Sequence, residues 1–275
     1  MLGQLIKYEL RATVRYFVPI LAAVLIFATL NTLFGINLTQ SEQERIGWFQ
    51  VLIFSLTIFM MIATIILWLV ITVMRFYKNM LGDEGYLMFT LPVSTHQLIL
   101  SKLIVACLWN IACIIISCLA IFIMFWSGMG EMYALFFKEL GIGLSYFMDE
   151  FQLTSAYIIL LWVESMVAWL LSVASYVLVL YLSMSIGQLM NEGKLIMSFV
   201  AFIGVSTVIQ IIGVVASVIL FGTGALNLLE VWITQSSFPA MMHIVMISSI
   251  VMTAITNAIM YFISHWLLSH RLNLA

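Results

Sequence analysis

Apolar residues run along this chain in six long blocks separated by short polar stretches. The blocks cover about 16–36, 49–74, 103–126, 156–184, 195–221 and 240–267. Each reaches the ~20 mostly apolar residues that a helix needs to cross a bilayer. The pattern predicts an all-α membrane protein with six transmembrane helices in a single domain spanning residues 1–275. Residues 1–17 show a different pattern. At ~100° per residue, Lys7, Arg11 and Arg15 fall on one stripe, and Leu2, Ile6, Leu10 and Phe17 fall roughly opposite. That arrangement predicts an N-terminal amphipathic helix lying in the inner interface with its apolar face down. Pro19 is expected to bend the chain into the first span. Glu9 projects near the apolar face and is expected to meet protein, with Arg75 or Lys78 as candidate partners. A simpler reading, in which the three cations only set orientation, stays open. A signal peptide is disfavoured, because the apolar run is too long and no A-x-A site follows it.

Composition turns this pattern into a statement about solvent. The chain is 64% hydrophobic and 8% charged, against about 25% charged in soluble domains. It cannot cover its own surface in water, so lipid must serve as solvent for most of it. A net charge of −2 gives no basic field for nucleic acid. Cys107, Cys113 and Cys118 share one apolar run and read as small hydrophobes, with neither a disulfide framework nor a metal-ligand spacing.

Cation placement gives the orientation. With six spans, Lys7, Arg11, Arg15, Arg75, Lys78, Lys102, Lys194 and Arg271 share one side, and Arg45 and Lys138 the other, eight against two. Both termini are therefore expected in the cytoplasm, in a multi-pass protein of the cell membrane. Tyr16, Trp48, Trp126, Tyr157 and Trp266 mark span ends, as interfacial anchoring requires. Residues 127–154 are expected to form short helices on the outer leaflet, and 222–239 a short re-entrant or surface helix. No internal repeat is visible.

One polar stretch is unlike the others. "RFYKNMLGDEGYLMFTLPVSTHQLILSK", residues 75–102, holds five of the chain's 22 charges. Gly82 and Gly85 bracket Asp83 and Glu84, an acidic pair suited to the N-terminus of a short helix running to about Thr90. Pro92 stops it. Ser94 and Gln97 then form a capping box, with Val93 and Leu98 as the staple, so a new helix starts at Ser94. Tyr86, Leu87, Met88 and Phe89 are held at the cytoplasmic face. A plain loop needs no such cluster, and exposed apolar bulk rimmed by charge fits a partner surface better.

The stretch "GDEGYLMFTLPVSTHQLILSK" resembles the first cytoplasmic loop of type 2 ABC-exporter permeases. In that family a short coupling helix precedes a Leu-Pro-Val/Ile-Ser motif, matched here by Leu91, Pro92, Val93 and Ser94, and Lys102 matches the start of the next span. "LIKYELRATVRYFVP", residues 5–19, is similar to the family's elbow helix. The resemblance implies a permease subunit of an ATP-driven exporter that contacts cytoplasmic ABC ATPase subunits through the coupling-helix region 82–93. The contact residues would be Asp83, Glu84, Tyr86, Leu87, Met88 and Phe89. It also implies a second permease subunit, making a homo- or heterodimer, and ATP with Mg held by the ATPase subunits. This chain is expected to bind no cofactor and to have no enzymatic activity. A phosphate-binding loop needs G-x-x-x-x-G-K-[ST]. The chain's one Gly-Lys pair, Gly193-Lys194, has Gly187 one residue too far upstream and Leu195 in place of Ser or Thr.

Polar side chains inside the spans are the remaining candidates. Glu164 is the one acidic or basic residue read as lying well inside a span, where a charge costs about 3 kcal/mol on insertion scales. Gln210 of the fifth span lies at a similar depth and is a candidate partner. Asn110 and Asn257 fall in the inner half. All four can serve as interhelical hydrogen-bonding groups. For Glu164 a substrate-lining or proton-carrying role stands beside the structural one. Two small-residue stripes predict close helix packing: Ala106, Asn110, Cys113, Ser117 and Ala120 in span three, and Ser165, Ala168, Ser172 and Ser175 in span four. The exporter permease therefore has two rivals. One is a proton-coupled secondary transporter using Glu164, which needs no ATPase. The other is a non-transporting scaffold or immunity protein, which produces no flux.

Overall fold

The structure is a computed structural model that describes residues 2–36, 48–81, 93–151, 153–190, 193–222 and 238–270. Among these residues the regular structure is helical. In chain order the helices are α1 (Leu2–Ile36), α2 (Trp48–Phe76), α3 (Thr95–Glu150), α4 (Ser155–Gly187), α5 (Lys194–Gly222) and α6 (Phe238–His270). Six candidate spans follow, Leu2–Leu33, Val51–Leu81, Thr95–Met124, Ser155–Gly187, Lys194–Val215 and Pro239–His270. The chain is thus a multi-pass helical membrane protein. Residues 82–92 lie outside the described set, and with them Pro92 and the coupling-helix residues Asp83, Glu84, Tyr86, Leu87, Met88 and Phe89.

Two element boundaries differ from expectation. α1 is one helix from Leu2 to Ile36 with Pro19 inside it, so no helix break sets off residues 1–17. Proline removes one i→i−4 bond, the one to Arg15, and the long apolar run beyond carries the helix on. The faces are as the pattern requires: Lys7, Arg11 and Arg15 are exposed, and Phe17 is buried. α3 continues past its span to Glu150, where short separate helices were expected. Residues 125–150 contain no proline to end it.

The chain divides into two compact units. The first comprises Met1–Met74 and Leu100–Leu144. Its core gathers Val24 and Ala28 of α1 with Ala120 of α3, against Met60 and Met61 of α2. Ala106, Cys113 and Ala120 of the small-residue stripe are all buried, at a spacing of seven. Alanine at position 106 leaves its carbonyl open, and the indole N–H of Trp68 donates to it at 2.9 Å. The Thr32 hydroxyl donates across to the Ile123 carbonyl at 2.6 Å. Near its N-terminus α1 is tied to α3 by three contacts. Glu9 pairs with Lys102 at 3.3 Å, Trp109 Nε1 donates to Thr13 Oγ1 at 2.7 Å, and Phe17 stacks on Trp109 with centroids 4.3 Å apart. Glu9 therefore does meet protein, through Lys102 of α3.

The second unit comprises Arg75–Ile99 and Ser145–Ala275. α4 is its centre and packs on both α5 and α6. After Phe76 the chain widens into a π-helical turn, Tyr77–Leu81, with Asn79, Met80 and Leu81 buried. Such turns concentrate at functional sites. Phe76 stacks on Tyr181 of α4, centroids 3.9 Å apart. On the far side of residues 82–92, Ser94 is the N-cap of α3, its hydroxyl accepting from the Gln97 N–H. His96 then pairs with the Tyr261 hydroxyl of α6.

Candidate functional site

Two polar contacts of the second unit lie along one seam, the α4–α6 interface. α4 and α6 begin on the same side of the membrane, since one span lies between them. Glu164 stands nine residues into α4 and His243 five residues into α6, so both lie roughly 7–14 Å inside their helix starts. His243 Nδ1–H donates to both Glu164 carboxylate oxygens, at 2.8 and 3.0 Å. Each residue is 8% exposed. Tyr157, in the first turn of α4, lies tilted against the imidazole with centroids 4.6 Å apart. The carboxylate fixes the imidazole's orientation, as carboxylates do for histidines at functional sites. His243 Nε2 is buried, with no hydrogen-bond partner among the described residues. It is an acceptor in the neutral ring and a donor in the imidazolium.

Further along the same seam, Asn257 of α6 bridges to α4. Its amide donates to the Leu171 carbonyl at 2.9 Å, and its Oδ1 accepts from Ser175 at 2.6 Å. This is the interhelical hydrogen-bonding role expected of Asn257. Gln210 is exposed on α5 and makes no hydrogen bond to Glu164 among the described residues. Asn110 Oδ1 is buried on α3 without a hydrogen-bond partner among those residues. Histidine 243 was missed because it stands near a span end, where a polar residue needs no explanation. A signal was present: His243 and Asn257 are 14 residues apart, two heptads, and so share one stripe of α6.

Beside this seam lies a cavity of about 1010 Å³ between α4, α5 and α6. Valine, leucine, isoleucine and methionine make most of its wall, with Ser172, Ser175, Thr253 and Thr256 as small hydroxyl side chains. No three His, Cys, Asp or Glu side chains gather as a metal site among the described residues. The fold and seam define a helical membrane protein with a polar α4–α6 interface beside an apolar cavity. Comparisons with protein-family models, with curated proteins and with solved structures find no match to this chain.

Proposed function

We propose that the chain is the membrane-spanning permease subunit of an ATP-driven exporter. It works in the cell membrane with both termini cytoplasmic, beside a second permease subunit and cytoplasmic ABC ATPase subunits that hold ATP and Mg. The observation that carries this reading is the anchoring of residues 75–81 and 93–99. Before the proposed coupling segment, Phe76 stacks on Tyr181 of α4. After it, His96 bonds to Tyr261 of α6. Both helices line the apolar cavity. A displacement imposed on the segment by ATP binding in the partner would thus reach the cavity walls through two short contacts. The Glu9–Lys102 ion pair adds support, because it joins the two stretches that carry the family resemblance.

The test is co-purification. The tagged chain extracted from its own membranes should retain an ATP-hydrolysing subunit. Leu87→Asp or Phe89→Asp should abolish that retention while leaving membrane insertion intact. Intact chain that carries no ATPase activity from native membranes contradicts the proposal.

The buried Glu164–His243 pair favours one second reading, a proton-coupled transporter. It predicts flux in proteoliposomes driven by a pH gradient with no nucleotide present, and loss of that flux in Glu164→Gln. Flux that requires ATP and survives Glu164→Gln excludes it.

A further inference from the structure

The cavity's chemistry says what it can hold. It extends from Ser172 to Ile186 along α4, from Ala201 to Gly213 along α5 and from Met252 to Ile263 along α6. At 1.5 Å per residue these walls run roughly 17–21 Å along their helices. That exceeds one leaflet's share, ~15 Å, of a ~30 Å hydrocarbon core. No charged or amide side chain lines it among the described residues. The serine and threonine donors are already committed within their own helices. Ser172 donates to Ala168, Ser175 to Leu171, Thr253 to Ser249 and Thr256 to Met252, each to a backbone carbonyl at 2.8–2.9 Å. Ser175 also reaches Asn257. Tyr176 adds a phenol to the wall. A ligand with several polar groups would leave them unpaired here, at about 1–3 kcal/mol each.

Size sets the class of occupant. The cavity holds about 1010 Å³. That volume lies at the top of the ~300–1000 Å³ range of small-molecule sites. On the α5 wall, Gly204 and Gly213 have nothing within 4 Å of where a Cβ would stand, which keeps the slot wide.

We infer that the slot between α4, α5 and α6 is a binding site for the extended alkyl chain of a membrane amphiphile. The chain lies along the helices, held by shape and apolar contact. Two sources share this chemistry: a resident bilayer phospholipid, or an amphiphile that the protein moves. The inference rests on the span assignment and not on the exporter reading, and its test needs no ATPase.

The full-length chain is reconstituted in phosphatidylcholine vesicles containing a phosphatidylcholine with a diazirine on its acyl chain. After irradiation the adducts are mapped by mass spectrometry. In a second arm the diazirine is carried by a single-chain fatty acid added from water, with unlabelled fatty acid as competitor. Labelling of residues 172–186 and 201–213 should exceed that of the lipid-facing Ile62 and Ile65 severalfold, and Gly204→Phe and Gly213→Phe should each remove the excess. Phospholipid labelling that fatty acid does not compete identifies a resident lipid. Saturable fatty-acid labelling identifies a mobile amphiphile. Either supports the site. Thr253→Val and Thr256→Val should label as wild type, because those hydroxyls face their own backbone. Loss of labelling in them overturns the purely apolar recognition. Labelling no greater at the slot than at Ile62 in the wild-type chain overturns the site itself, whatever the substituted chains do. Chain-to-chain adducts at the slot do the same.

Discussion

His243 donates to both oxygens of Glu164, and the burial of both residues sets the cost of breaking the pair. Glu164→Leu leaves the imidazole donor buried and unmet. Such a group costs about 1–3 kcal/mol. Double-mutant cycles for hydrogen bonds inside a bilayer average ~0.6 kcal/mol, because the unfolded chain in lipid also finds partners. The expected loss is therefore near the low end, about 1 kcal/mol. Glu164→Gln keeps an acceptor of nearly the same shape and should lose less. Removing both partners removes the unmet group, so Glu164→Leu with His243→Phe should recover most of the single-mutant loss. Unfolding in mixed micelles with rising dodecyl sulfate measures all three. If the double substitution loses as much as the two singles added together, the pair is not the coupled unit described. Glu164's importance was legible from one carboxyl group in an apolar run. Its partner was not, because depth places Gln210 beside it while helix rotation places His243 there. A hydrophobic stretch reports depth well and azimuth poorly.

Helix contacts turn on a few small residues, and the close approach of α4 to α5 is at Gly187. A Cβ there would meet Ser198 Oγ and lie 2.6 Å from the Ser198 backbone nitrogen and 2.7 Å from its Cα. Backbone cannot swing aside as a side-chain end can. Gly187→Ala should therefore force the two helices apart, at about 1–3 kcal/mol. Gly141 and Gly143 of α3 have nothing within 4 Å of a Cβ, so alanine there should be neutral or stabilising by up to about 1 kcal/mol through helix propensity. Thermal denaturation in one detergent compares the three, and equal behaviour would refute the close-approach argument. The span-three stripe was readable because Ala106, Cys113 and Ala120 recur every seven residues, and all three are buried. The span-four stripe was a poorer guide. Ser165 and Ser172 bond to Leu161 and Ala168 of their own helix, so small polar residues there mark internal bonding as readily as an interface. Helix ends were least legible. Without a proline or an isolated polar run, nothing in 127–150 says where α3 stops, and it stops at Glu150.

Across the whole molecule, orientation decides whether the coupling segment faces an ATPase at all. Eight lysines and arginines fall on one side of the six spans and two on the other. Inner loops retain cations because moving them across the membrane during insertion is costly, so the excess marks the cytoplasm. In the proposed orientation, with both termini cytoplasmic, residues 37–47 and 223–237 are expected outside and 82–92 inside. That proposed orientation would turn the Glu164–His243 end of α4 and α6 toward the outside and the Tyr181 and Tyr261 contacts toward the cytoplasm. Single cysteines test it, with Cys107, Cys113 and Cys118 replaced by alanine or serine to clear the background. In sealed cells a membrane-impermeant maleimide should modify Thr39→Cys and Ser236→Cys without lysis, and Asp83→Cys after lysis alone. An odd number of spans between them would put Thr39→Cys and Ser236→Cys on opposite sides. Modification of Asp83→Cys in unbroken cells would invert the chain, remove any cytoplasmic ATPase from reach of Leu87 and Phe89, and end the exporter reading at its first step.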